Sequence, residues 1–395
     1  MNTFADITKT SNLDKLAIVC VGYNRLNSLK SLFSSLENAK YPSRDIPLVI
    51  SIDASGDNDV YSFVREYYWP NGEKYVFIQE QRLGLKSHIY KCGDLSQYFK
   101  GIIILEDDSY VAPYFYYYAD KALSIYSHDP LVCGISLYVS HNNEYVNIPF
   151  WPLQKGDDVF LLQDVQTRGE CFSWSMWKKF RDWLVDNENR DYQEVIMPES
   201  IKTWTKAWSK FYYAYMIESE TYFVYPYSSF VTNMGAVGEH ADNIINVVQV
   251  ALEYGHKEYV MPDARSLVKY DSFYSNTDLY EILNLSKQEL CIDYYGFNNN
   301  ISKKRYILSC NRMNYKVVRS FGLHMYPIEV NVLKNIPGEA LYLYDTSVNA
   351  KMPPKQEYDA LSYIYCKHNP KLMLPYVLRW YILRVKRKLK KTFRK

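Results

Sequence analysis

Four short apolar runs punctuate the chain up to Glu106, and the segments between them carry a helical period. The runs lie in Leu16–Val21, Pro47–Asp53, Lys74–Gln79 and Gly101–Glu106. They hold branched, long or aromatic side chains with little alternation, the pattern of strands covered on both faces. In between, Leu29, Leu32, Phe33 and Leu36 recur at three- and four-residue spacing, predicting a helix from about Leu26 to Leu36. Val60, Phe63, Val64 and Tyr67 do the same before Pro70, which stops the helix. A third helix is predicted over Leu85–Phe99. Strands alternating with helices of this length imply a parallel sheet with right-handed crossovers.

The pattern loosens afterwards. A helix is predicted from Pro113 to about Tyr126, a strand over Leu131–Ser136, and no assignable period from Tyr138 to Gln166. Trp-rich helical stretches follow at Ser173–Asn187 and Thr203–Glu218, then a strand at Tyr222–Tyr225 and a Gly-containing loop at Ser229–Asp242. Past Tyr259 the chain turns β-rich, as in Arg305–Ser309 and Ala340–Tyr344. The expected division is an α/β body over residues 1–258, an α+β region over 259–370 and a tail over 371–395.

Composition narrows the class. The chain has 395 residues, 48% hydrophobic and 23% charged, which is globular and large enough for more than one domain. Tyr is unusually frequent, at 40 residues. Such residues suit sugar-contacting surfaces, and a compositional bias accounts for them equally well. The seven cysteines are scattered without a CxxC pair, which reads as reduced thiols.

The net charge of +2 hides an asymmetry. Arg379 to Lys395 holds nine Lys or Arg and no acid, and without them 37 bases face 44 acids. Met373, Leu374, Val377, Leu378, Trp380, Tyr381, Ile382 and Leu383 precede or interleave with that cluster. Aromatics and aliphatics beside basic residues suit a helix at an anionic membrane interface. A solvated helix or a basic arm on nucleic acid are the alternatives. The acidic body lacks a recognition module, which argues against nucleic acid. With no signal-peptide pattern and no bilayer-length apolar run, a cytoplasmic chain is expected, peripheral at the inner face of the membrane.

The chemistry gathers at one rim. Glu106, Asp107 and Asp108 close the fourth strand, where an open α/β sheet binds its ligand. Adjacent carboxylates repel, and a hard divalent cation relieves that repulsion; a solvated acidic turn is the plainer reading. Gly22-Tyr23-Asn24-Arg25 closes the first strand and Ser51-Ile52-Asp53 the second, while Gln81–Lys86 leads into the third helix. In a parallel sheet all four segments share one edge.

Together they resemble the nucleotide-sugar domain of GT-A-fold glycosyltransferases. Ile104–Phe115 is similar to the Glu-Asp-Asp segment of eukaryotic N-acetylglucosaminyltransferase I and of bacterial family 2-like transferases that build surface polysaccharides; the resemblance spans roughly residues 15–245. It implies a mostly parallel GT-A sheet flanked by helices. It also implies a Mn or Mg ion on Asp108, ribose or metal contact at Asp107, and contact of Glu106 with the transferred sugar. Asp53 would meet the base, Arg25 and Lys86 the donor, and His240 in the Gly-rich closing loop the metal or phosphates. The implied activity is sugar transfer, of inverting type, from a nucleotide diphosphate donor such as a UDP-sugar to a glycan or lipid-linked glycan.

One departure stands out. Where relatives carry an acid after a helix Trp, this chain reads Trp208-Ser209-Lys210. Inverting transfer needs a general base, and Glu170 is the substitute favoured here over Asp164 and Glu218. Two other functions stay open. A catalytically inactive GT-A-like carbohydrate-binding or scaffold protein would explain the lost acid. A sugar-phosphate nucleotidyltransferase would need a richer Gly loop than Gly22 supplies.

Overall fold

The computed structural model describes residues 7, 12–235 and 248–392, and divides into two compact units, 1–281 and 282–395. The first unit is built on a nine-stranded sheet. Its strands are β1 (Asn12–Gly22), β2 (Leu48–Ile52), β3 (Lys74–Ile78), β4 (Phe99–Glu106), β6 (Val132–Ser136), β9 (Val159–Leu162), β10 (Glu170–Phe172), β11 (Tyr222–Pro226) and β13 (Lys269–Tyr270). The small strands β5 (Ser109–Val111), β7 (Asn142–Asn143), β8 (Ile148–Pro149) and β12 (Val231–Asn233) pair outside it, β5 with β12 and β7 with β8.

The sheet order is β13-β9-β11-β6-β10-β4-β1-β2-β3. Strands β3, β2, β1 and β4 run parallel, as the apolar runs predict. The reason for those unbroken runs is visible in β1. Leu16, Ile18 and Cys20 enter one core with the Leu26–Asn38 and Phe115–Tyr126 helices. Ala17, Val19 and Val21 enter another, with the Leu85–Asp94, Trp174–Asn187 and Trp208–Glu218 helices. Successive side chains face opposite ways, so a strand covered on both sides must be apolar at every position. This mostly parallel sheet flanked by helices is the α/β architecture expected.

Beyond β4 the sheet turns mixed. The three-residue β10 inserts antiparallel between β4 and β6, pairing Glu170 with Ile104 and with Ser136. Strands of two to four residues carry no readable period, which is why β9, β10 and β13 fall in stretches the pattern leaves unassigned. Because β13 pairs with β9, the first unit extends past the expected boundary at 258 to Glu281. The third helix is shorter than predicted, ending at Asp94 with a 3-10 turn over Leu95–Tyr98.

The second unit carries a four-stranded sheet of β14 (Leu290–Ile292), β15 (Tyr306–Ser309), β16 (Tyr315–Phe321) and β17 (Leu341–Asn349), in the order β14-β15-β17-β16. It ends in a helix over Pro370–Thr392. Among the described residues no cysteine is joined in a disulfide.

Candidate functional site

The chain runs β1 to β2 to β3 in one direction across the sheet, while β4 lies on the other side of β1. Ligands bind in the crevice that such a reversal opens at the strands' carboxyl ends. A cleft of about 340 Å³ lies here, lined by Gly22–Arg25 after β1, Asp53 after β2 and Glu106–Asp108 at β4. Arg82, Gly84, Leu85 and His88 form one wall, and Thr167, Trp208 and Ser209 also line it.

Arg25 stands at the N-cap of the Leu26–Asn38 helix, with no side-chain capping bond. Its guanidinium reaches 82 residues along the chain to Asp107, where Nε donates to Oδ2 at 3.1 Å and Nη2 to Oδ1. Nη1 donates to Asp108 Oδ2 at 3.0 Å. One cation thus faces two carboxylates and takes both oxygens of the first in the fork geometry that arginine favours. Burial raises Asp107 to about 6 even so, with Arg25 opposing the shift. Burial, reinforced by Asp108 and Asp107, raises Glu106 to about 8, so at neutral pH it is largely a neutral acid able to donate a hydrogen bond. The β5–β12 pair braces this segment, and Met234 N–H donates to the Asp108 carbonyl at 2.8 Å.

Asp53 is buried, and its two oxygens accept from the backbone. Oδ1 takes Ala54 N–H at 2.9 Å and Leu83 N–H at 2.8 Å, and Oδ2 takes Gly84 N–H at 2.9 Å. This carboxylate therefore clamps the loop before the Leu85–Asp94 helix onto the end of β2. Gly84 caps that helix at φ +73°, in the region glycine tolerates best.

Two expected site residues lie away from the cleft lining. Lys86 Nζ sits 2.6 Å from Glu188 Oε1 and over the Phe211 ring, so its charge is engaged by another element. Glu170 is buried on the same face of the sheet as Glu106, two pairing positions back, and its Oε1 has no hydrogen-bond partner. Burial and the neighbouring Glu106 push its carboxyl well above the ordinary range, which disfavours the ionised form a general base needs. The other two acids weighed as base are committed elsewhere. Asp164 accepts from the Tyr145 and Tyr274 hydroxyls at 2.5 and 2.6 Å, and Glu218 binds Arg190 and Trp183. His240 lies outside the described residues.

Two cleft residues escaped the sequence reading. His88 Nε2 lies 2.7 Å from Ser51 Oγ, and burial lowers its pKa to about 4, partly offset by Asp53. It is a neutral imidazole at the cleft wall. Arg82 brings its guanidinium over the Tyr23 ring at 4.7 Å. Arg82 could have been found as a polar residue just past the carboxyl end of β3, whereas His88 sits inside the next helix and carried no such signal.

Among the described residues no group of three or more His, Cys, Asp or Glu side chains could hold a metal ion by itself. Asp107 and Asp108 nevertheless fit a hard cation of the Mg or Mn kind, which is commonly held by one or two carboxylates with substrate phosphates completing the shell. The condition is that Arg25 yields their oxygens.

No protein-family model and no curated protein sequence matches this chain. Solved structures do. A mannosyltransferase from Pyrobaculum calidifontis in complex with GDP-Man and Mn2+ is 14% identical, covering 49% of this chain and 51% of that one, at a TM-score of 0.31. S. aureus TarS 1-349 in complex with UDP-GlcNAc is 13% identical over 57% of this chain and 60% of that one, at 0.33. GalNAc-T7 with UDP, GalNAc and Mn2+ is 13% identical over 55% and 43%, at 0.37. The chain thus matches about half to three-fifths of the length of the first two. At TM-scores below 0.5 the likeness carries no functional weight, and the residues of the cleft must supply it.

Proposed function

We propose that this chain is a glycosyltransferase that takes a sugar from a nucleotide diphosphate donor and passes it to a glycan or lipid-linked glycan acceptor. The observation that carries the reading is the pairing of Arg25 with Asp107 and Asp108 in the cleft at the β1/β4 reversal. Paired acids and a movable guanidinium are the groups a diphosphate needs. The acids would hold a divalent cation, and the guanidinium would take phosphate oxygens.

In this reading Asp107 and Asp108 hold the Mn or Mg ion, which when bound supplies positive charge to the diphosphate leaving group. Arg25 and Arg82 add positive charge on the protein side of the cleft. Glu106, largely protonated at neutral pH, donates a hydrogen bond to the sugar. The Asp53 clamp sets the loop that closes the wall on the nucleotide side. Glu170 stands behind Glu106, with its ionised form disfavoured by burial. Trp208 and Ser209 line the remaining wall, where the acceptor enters.

The same reading places the enzyme at an anionic membrane surface. The Pro370–Thr392 helix exposes Leu372, Leu374, Tyr376, Trp380, Tyr381 and Ile382, and acids are absent from residue 360 onward. Among the described residues no helix is long and apolar enough to cross a membrane, so contact would be interfacial.

The test is thermal unfolding with UDP, GDP, CDP and dTDP, each with and without Mn2+, beside Asp108→Ala. A nucleotide at a hundredfold over its Kd adds about 2.7 kcal/mol. A Mn2+-dependent rise with one nucleotide, lost in the variant, supports the transferase. A folded protein whose midpoint moves with none of them is not one.

A further inference from the structure

We propose that Arg25 is a latch that couples cation binding to donor binding, an inference that rests on the transferase reading above. Its three hydrogen bonds occupy both oxygens of Asp107 and one of Asp108, the oxygens a divalent cation would need. Two positive centres cannot share those oxygens at bonding distance without strong repulsion. A cation that takes those oxygens must therefore displace a partly buried guanidinium, with only 24% of its side chain exposed, from its partners. A diphosphate changes the balance. It offers paired anionic oxygens that match the guanidinium fork, so Arg25 leaves the acids for the phosphates as the cation takes its place.

The coupling is reciprocal by thermodynamic necessity: the factor by which the nucleotide tightens the cation is the factor by which the cation tightens the nucleotide. The latch also keeps Asp107 and Asp108 compensated between turnovers, which disfavours capture of stray cations. Arg25 acts here as a positioning residue, through the acids it releases.

The experiment is a titration with Mn2+ alone, followed by the electron paramagnetic resonance signal of the free ion, on the full chain and on Arg25→Gln. It is repeated with UDP, GDP, CDP and dTDP in turn. The wild type should bind Mn2+ at least about tenfold more tightly with its nucleotide than without, since the competent state is otherwise scarcely populated. Arg25→Gln should bind Mn2+ alone at least about tenfold more tightly than wild type, with a smaller response to nucleotide. Equal affinity of the two folded proteins for Mn2+ alone overturns the latch, as does no Mn2+ binding to either. Failure of every nucleotide to bind removes the transferase reading and the coupling with it, while the comparison with Mn2+ alone still decides whether Arg25 competes with the cation for the acids. Should Arg25→Gln not fold, Arg25→Lys keeps the charge but loses the fork. An affinity for Mn2+ alone above wild type supports the latch, and an unchanged one overturns it.

Discussion

Asp53→Asn tests the clamp on which the cleft wall depends. The carboxylate accepts three backbone N–H groups, from Ala54, Leu83 and Gly84, at 2.8–2.9 Å in a buried position. The amide can present one oxygen to two of them, but its NH2 then faces the third donor. One bond is lost, its N–H is left unsatisfied, and the other two weaken from charge-assisted to neutral. Bonds to a charged acceptor contribute about 1.5–3 kcal/mol each, and an orphaned buried donor costs about 1–3 kcal/mol. The expected loss is therefore about 3 kcal/mol, or roughly 6–10 °C in the midpoint for a unit of this size. Arg82 lies in the clamped loop and is exposed, so trypsin cleavage after Arg82 reports loop release directly. The variant should unfold earlier by circular dichroism and be cut faster at that bond below its midpoint. A midpoint within about 1 °C of wild type, with unchanged cleavage, would show that the loop holds itself and that Asp53 serves only the ligand.

Two further predictions concern the same wall. Burial holds the His88 pKa at about 4 against an ordinary 6.5, so the unfolded chain takes up the proton first as pH falls. The associated stability is present above about pH 6.5 and is lost toward pH 4, about 3 kcal/mol in full. Urea unfolding across pH 4.5–7.5 should show that slope in wild type and not in His88→Gln; parallel profiles would mean His88 titrates normally. Gly93 on the same helix packs under Trp177, where an added Cβ would lie 2.1 Å from the ring, and Trp177 Nε1 donates to Asp94 at 2.8 Å, which pins it. Gly93→Ala should lose about 2–3 kcal/mol despite alanine's better helix propensity, and a variant as stable as wild type would show that the indole can move.

The strand-and-helix alternation up to β4 was legible because each signal is local. A strand covered on both faces needs apolar residues throughout, and the crossover rules then leave few topologies. The same locality hid β10. Glu170-Cys171-Phe172 has no period to read, yet it inserts between β4 and β6 and carries Glu170 to the back of Glu106. That position buries the carboxyl favoured as a base away from the cleft lining, where its ionised form is disfavoured. Lys86 shows a related effect, since its place beside the cleft is sequence-local but its partner, Glu188, is 102 residues away.

What the sequence by itself determined is the set of groups at one rim, Arg25, Asp53 and the Glu106–Asp108 triplet, because parallel strands bring all their carboxyl ends to the same edge. Tertiary structure alone decided which of them hold one another. Arg25 closes on Asp107 and Asp108, Asp53 on backbone amides of the next loop, and Lys86 on Glu188. The physical reason is that a charge buried at that rim must find its partner across the fold, and a pattern read along the chain records spacing, not partners.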